Sequence, residues 1–259
     1  MPIPIKNARD VEHMRDSCRA VAEILEQLKL FVQPGVTTRE VDLLAGKLIA
    51  DRGGISPFLN YKGFPGHICI SVNEEVVHGI GGSRRIQFGD IVTLDVGIVL
   101  NGWVGDGATT LPVGQVDPAV LRLLDATQEA LAAGIAQARP GKRVGNISNA
   151  IEKCVHRYGY SIVTDFVGHG VGRKLHEEPH IPNFGRPNDG PELKPGMTLA
   201  IEPMVNMGRA EVRILADNWT AVTRDGKPSA HFEHTVLVTE REPEILTCLT
   251  TTESKLKEQ

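Results

Sequence analysis

The chain has 259 residues, a net charge of −4 and no block of lysine or arginine, which argues against a nucleic-acid-binding surface. Its 41% hydrophobic and 23% charged content is that of a globular domain with a sizeable core. No run of about 18 apolar residues offers a membrane span, and residues 1–7 lack a signal-peptide core. Cys18, Cys69, Cys154 and Cys248 form no CxxC pair, so the expected setting is a reducing cytoplasm rather than a disulfide or zinc-ribbon framework.

In chain order, Val11, Met14, Val21, Ile24, Leu25 and Leu28 recur near helical spacing and predict an amphipathic helix over 10–30, stopped by Pro34-Gly35. Thr37 or Thr38 caps a second helix through Val41, Leu44, Ala45, Leu48 and Ile49, which ends near Gly53-Gly54. Ile68-Cys69-Ile70-Ser71-Val72 then reads as a strand. Asn101-Gly102, between Ile98-Val99-Leu100 and Trp103-Val104, is the strongest short hairpin signal. With those two residues as the loop, paired positions sum to 203 and Asp95 faces Ala108. Asp106 is then the diagonal neighbour of Asp95 on the same face, about 7–8 Å away, where one cation could meet both. Asp106 in Gly105-Asp106-Gly107 reads equally well as a solvated turn acid; Asp95, amid Ile, Leu and Val, does not.

The pattern recurs. A helix is expected over 121–138, Pro140-Gly141 stops it, and Ile147, Ala150, Ile151, Cys154 and Val155 line another that ends near Gly159 before β-like Ile162-Val163. The Pro-Gly pairs are 140 − 34 = 106 residues apart, and Gly53 and Gly159 are 159 − 53 = 106 apart. This predicts an internally duplicated α+β unit, one domain over 1–259 with half-repeats of roughly 10–115 and 116–250. A site between the halves would draw residues from both. The polar tail, 250–259, is expected to fray.

In Gly168-His169-Gly170-Val171-Gly172 the glycines permit tight backbone and leave little bulk beside His169. Their alternation, with no strand-to-helix switch after it, is wrong for a phosphate loop. His176 lies too far along to be assumed on the same metal, but such a histidine could donate to a developing oxyanion. His78 alone reads as a structural residue at a strand end. His13, His67, His156, His180, His231 and His234 are expected at surface or structural positions, the last two flanking Glu233. Glu202 interrupts Thr198-Leu199-Ala200-Ile201-Glu202-Pro203-Met204, and Glu233 precedes Thr235-Val236-Leu237-Val238. Buried charges are normally paired or metal-bound. Asp95, Asp106, His169, Glu202 and Glu233 make an oxygen-rich set whose four negative charges two divalent cations would neutralise, the inventory of a two-metal hydrolase.

The chain resembles type I methionine aminopeptidase in Cys69-Ile70-Ser71-Val72-Asn73-Glu74, Val77-His78-Gly79-Ile80, Gly89-Asp90-Ile91-Val92, Gly168-His169-Gly170-Val171-Gly172, His176-Glu177-Glu178-Pro179, Leu193-Lys194-Pro195-Gly196-Met197-Thr198, Ile201-Glu202-Pro203-Met204 and Glu233-His234-Thr235. The resemblance covers nearly the whole chain, in order. It implies the pita-bread fold, a pseudo-two-fold α+β domain, and a metalloaminopeptidase that removes the initiator methionine when the second residue is small and uncharged. It also implies two divalent ions (cobalt, manganese, iron or zinc). Asp95, Asp106 and Glu233 would hold one and Asp106, His169, Glu202 and Glu233 the other, with Glu202 as proton acceptor for the attacking water. His176 would stabilise the tetrahedral intermediate and His78 would bond the scissile amide. Tyr61, Phe64, Cys69, Trp219, Phe58 and Leu175 would form the methionine pocket.

The expected partners are N-termini of nascent chains near the ribosome, met by a monomer. Phe58, Lys62, Gly97 and Gly107-Ala108 depart from the family pattern and bear on pocket shape and metal affinity. The alternatives are an Xaa-Pro aminopeptidase or prolidase, which carries an extra N-terminal domain, and a pita-bread binding protein that has lost its ligands. A type II enzyme would need an insertion that the 202 − 176 = 26 residue separation excludes.

Overall fold

A computed structural model describes residues 2–249; the expected fraying of 250–259 lies outside them. Helix α1 spans Ala8–Phe31, α2 Thr38–Asp51, α3 Pro118–Ile135 and α4 Val144–Arg157. Asn7 and Asp10 close α1 with a capping box, and Thr37 and Glu40 do the same for α2, each satisfying two otherwise unpaired N–H groups. The third helix is displaced toward the N-terminus from the expected 121–138. Asp117 caps it and Pro118, its φ already helical, opens it. Past Ile135 the backbone tightens ahead of Pro140, with Ala138 N–H donating to the Ile135 carbonyl at 2.9 Å.

The recurrence is carried through to atoms. Adding 106 to the limits of α2, 38 + 106 = 144 and 51 + 106 = 157, gives the limits of α4. Gly35 and Gly141, and Gly53 and Gly159, all have positive φ, which is why glycine stands at each stop.

One eight-stranded sheet runs in the order Cys69–Val72, Ile91–Leu100, Trp103–Pro112, Glu233–Leu237, Thr198–Ile201, Gly168–Gly170, Glu177–Ile181, with Glu244–Ile245 beside Glu233–Leu237. The first three strands precede α3 and the rest follow α4. The two groups join where Glu233 pairs with Ala108 and His234 with Gly107. Two three-stranded sheets flank this one: Val212–Ile214, Ala221–Thr223 and Glu75–Val77, and Ser229–His231, Met204–Asn206 and Ser161–Ile162.

Each group of strands has its own core. Ile24, Leu28, Val41 and Ile49 of α1 and α2 pack on Val92, Leu94, Val96 and Ile98. Leu123, Leu131, Ile147 and Ile151 of α3 and α4 pack on Leu199, Ile201 and Val236. Burying such side chains contributes about 1.5–3 kcal/mol each. Because strand side chains alternate, the helices take one face and the positions between, Asp95 among them, point to the other.

The hairpin has the expected register, from Leu100↔Trp103 through Asp95↔Ala108 to Ile91↔Pro112, with Asn101 and Gly102 both at positive φ as a two-residue turn requires. The alternative of Asp106 as a solvated acid beside a turn does not hold: Gly105, Asp106 and Gly107 lie inside a strand and Asp106 is buried. Gly105 lets α1 lie directly on that strand, since a Cβ there would come within 2.5 Å of the Ser17 backbone and 2.7 Å of Cys18 N. Gly105→Ala is therefore expected to cost about 1–3 kcal/mol, read as a lower thermal unfolding midpoint. Gly82→Ala, whose nearest neighbour would be the Ile80 carbonyl at 3.8 Å, should leave the midpoint nearly unchanged.

Candidate metal centre and substrate pocket

Across the middle of the sheet, register sets Asp95, Ala108 and Glu233 side by side on three adjacent strands. Asp106 lies one step along on the same face, opposite Gly97. His169 pairs with Ala200, two residues before Glu202. His169 is not in a loop, as its glycine-rich context suggests, but in a short strand hydrogen-bonded on both sides. Its flanking glycines permit this: a Cβ at Gly168 would run into the Ala200 carbonyl, and one at Gly170 into that of Glu178.

All five residues line one cavity of about 280 Å³. Asp106, His169 and Glu233, each less than 7% exposed, offer ligand atoms that lie within 4.8 Å of one another. His169 Nε2 is 3.8 Å from Asp106 Oδ2 and 3.5 Å from Glu202 Oε1. The His169 Nδ1 lies 2.9 Å from its neighbour's carbonyl, Gly170 O, to which only an N–H can donate; this leaves the Nε2 lone pair facing the carboxyls. Burial pushes His169 down to about 3, so the ring is a neutral ligand rather than an ion-pair partner. Burial likewise pushes the carboxyls of Asp95, Asp106, Glu202 and Glu233 up, and for the last three the neighbouring acids push further. Asp95 Oδ1, Asp106 Oδ1 and Glu233 Oε1 are buried without any hydrogen-bond partner. Carboxyl oxygens left bare around a neutral imidazole are, once deprotonated, the donor set a divalent cation requires.

The rest of the cavity is largely apolar. Phe58, Tyr61, Phe64, Cys69, Leu175 and Trp219 form its wall, and His78, His176 and Lys62 also face it. Phe64 and Trp219 meet edge to face at 5.1 Å. The space for Phe58 comes from Gly97, where a Cβ would lie 2.6 Å from Pro57 Cγ and 2.9 Å from Phe58 Cε1. Phe58 and Gly97 thus share one packing solution.

The His176 ring is 4.3 Å from that of His169, and its Nδ1 is 2.9 Å from the Tyr61 hydroxyl. The turn that delivers it is held by Glu177, which accepts from Arg173 N–H at 2.8 Å, Lys174 N–H at 3.2 Å and buried Lys6 Nζ at 2.7 Å. His78 stands at φ +61, edge-on to Phe166 at 5.1 Å, and burial pushes it down to about 4. Asn73 and Ser229 also meet, Ser229 N–H donating to the Asn73 carbonyl at 2.9 Å.

Of the histidines expected at surface or structural positions, His231 stands apart. It is 1% exposed, neither ring nitrogen has a hydrogen-bond partner, and its Nε2 is 3.6 Å from Glu202 Oε2. Its place two residues before Glu233, in a nearly continuous β segment, was the available signal.

The profile of metallopeptidase family M24 matches residues 12–240. The chain is 52% identical over 242 residues to methionine aminopeptidase 1 of Bacillus subtilis, covering 93% of this chain and 98% of that protein. It is also similar to the methionine aminopeptidase structures from Thermotoga maritima, at 43% identity and TM-score 0.94 over 96% of this chain and 100% of that one, and from Rickettsia prowazekii, at 40% and 0.94 over 95% and 100%.

The raised carboxyls set the sign of a pH effect. Without metal, a folded-state carboxyl raised above its unfolded value stabilises fully below the unfolded value, and that stability is lost as pH rises. The window opens at the ordinary 3.8–4.5 and, for Asp95, extends to about 7. Metal requires the deprotonated forms and so competes with protons. Calorimetry with EDTA and with excess Mn²⁺ should show a larger metal-induced rise in unfolding midpoint at pH 7.5 than at pH 5.5. A hundredfold excess over Kd corresponds to about 2.7 kcal/mol, and equal rises at the two pH values would contradict a carboxylate-rich centre.

Proposed function

Because the chain belongs to metallopeptidase family M24 and has the α+β pita-bread fold, we propose that it is a methionine aminopeptidase, a metal-dependent hydrolase that releases N-terminal methionine when the next residue is small and uncharged. One observation carries this reading: a single cavity joins an apolar wall of side-chain size to Asp95, Asp106, His169, Glu202 and Glu233. Methionine is unbranched and polarizable and suits walls such as Tyr61, Phe64 and Trp219.

Asp95, Asp106 and Glu233 would hold one divalent ion and Asp106, His169, Glu202 and Glu233 a second, with cobalt, manganese, iron or zinc all compatible with these donors. Such a pair supplies a water of lowered pKa and a Lewis acid for the scissile carbonyl. The Glu202 carboxylate takes the proton of the attacking water and returns it to the leaving amine as the C–N bond breaks. With the Tyr61 O–H donating to His176 Nδ1, the tautomer this reading requires, His176 Nε2–H is left to donate to the carbonyl oxygen as it gains charge. His78 bonds the amide region, and Phe58, Phe64, Cys69, Leu175 and Trp219 exclude water around the methionine side chain.

We further read the half-repeats as roughly 10–115 and 116–250 of one domain, supported by the 106-residue offset between α2 and α4. No helix among the described residues is long and apolar enough to cross a membrane. The reading places a monomer in the cytoplasm, acting on nascent N-termini near the ribosome. Free Cys18, Cys69, Cys154 and Cys248 suit a reducing compartment.

Release of methionine from Met-Ala and Met-Gly peptides, lost on metal stripping and restored by metal, is the expected result. Cleavage confined to an Xaa-Pro panel would replace the reading with a prolidase-type one, and no metal-dependent cleavage at all would remove it. Glu202→Gln should keep its circular dichroism spectrum and lose about 10²–10⁴-fold in kcat.

A further inference from the structure

His231 is a buried imidazole with nothing to bond. An imidazole carries at least one N–H in either protonation state, and leaving that group unpaired in the interior costs about 1–3 kcal/mol. Glu202 Oε2 lies 3.6 Å from its Nε2, a few tenths of an ångström beyond hydrogen-bonding distance, while Glu202 Oε1 faces His169. We propose that His231 is a positioning residue that donates its Nε2–H to Glu202 Oε2, fixing the plane of that carboxylate so that Oε1 alone is presented to the metal centre.

The backbone around His231 is built for such a task. Thr93 Oγ1 and Thr110 Oγ1, paired across the hairpin that carries Asp95 and Asp106, are 2.8 Å apart. Thr110 Oγ1 accepts from His231 N–H at 3.0 Å and donates to the His231 carbonyl at 2.7 Å, so one hydroxyl from the other half of the molecule holds both backbone polar groups of His231. On its own side it pairs with Met204, two residues after Glu202. Asn183, fully buried, donates to the Glu202 carbonyl at 3.0 Å and anchors the backbone from which the carboxylate extends. Groups that bond a ligating carboxylate from behind orient it and tune its basicity. With one oxygen committed to His231, Glu202 cannot rotate away to chelate through both.

The kinetic half of this proposal rests on the role of Glu202 given above; the spectroscopic half does not. In the full-length protein, ¹⁵N spectra of the imidazoles should show His231 as the Nε2–H tautomer, protected from exchange. His231→Leu should lower kcat for Met-Ala by about 10–100-fold, with KM within about twofold and an unchanged unfolding midpoint. His231→Gln, whose side-chain amide can donate to the same oxygen, should recover most of that loss. In a Glu202→Gln background, adding His231→Leu should cost little more. An Nδ1–H tautomer, equal losses in His231→Leu and His231→Gln, or full additivity with Glu202→Gln would overturn the assignment. If methionine release is absent altogether, the activity reading fails while the tautomer still decides this one. If His231→Leu does not fold, His231→Gln and the spectrum of the unaltered protein keep the test open to refutation.

Discussion

Four carboxyl groups and a neutral imidazole face one another where two packed halves meet, with three of the carboxylate oxygens buried and unbonded. Desolvating even one carboxylate without compensation costs several kcal/mol, and here neighbouring acids also raise Asp106, Glu202 and Glu233. Among the described residues no lysine or arginine ion pair reaches these acids; the contacts they make within ion-pair range are to His169 and His231, both held neutral by burial. The protein thus maintains a concentrated demand for positive charge in its interior. A hydrophobic core on either side holds the acids together, and a cation would meet the demand. Because the acids come from both halves, binding one would also tie the halves to each other.

The sheet meets this demand by simple alternation. Even-numbered positions of the Ile91–Leu100 strand feed the core under α1 and α2, and the odd-numbered ones point away from it. Across the hairpin the parity reverses, because paired numbers sum to 203, so Asp106 and Thr110 share the face of Asp95 while Gly105 and Gly107 sit beneath α1. One face of a strand can then carry charge while the other carries helix packing, with no residue asked to do both. The same face supplies Thr93 and Thr110, whose hydroxyls stitch the first half to the His231 backbone of the second.

How much of this could be read from the chain varied with how local the cause was. The Asn101-Gly102 turn dictates its own register, since few residues tolerate two successive positive φ values, and Asp95 and Asp106 followed from it. Gly105 and Gly107 were opaque, because the reason for them is a helix about ninety residues earlier in the chain. The glycines around His169 suggested a loop, yet their role is to let a strand slip between two others whose carbonyls leave no room for a Cβ. Phe58 and Gly97 looked like two separate departures until their side-chain space proved to be shared. The sequence signal at His231 was its place two residues before Glu233, which His234 shares in kind; its bare nitrogens and the nearness of Glu202 single it out.

The sequence by itself determined four helices, the cap at Thr37, the Pro-Gly stops, the 106-residue recurrence and the residue types of the candidate metal set, because capping, turn geometry and hydrophobic period act over a few residues; the Asp117 cap that starts the third helix early was not read. The tertiary structure alone decided which of those residues meet. Convergence of Asp95 with Glu233 depends on strand pairing between segments over a hundred residues apart, and the selection of His231 over the other unassigned histidines depends on which side chains that pairing buries together. Local rules set the pieces; the pairing of the two halves set the electrostatics.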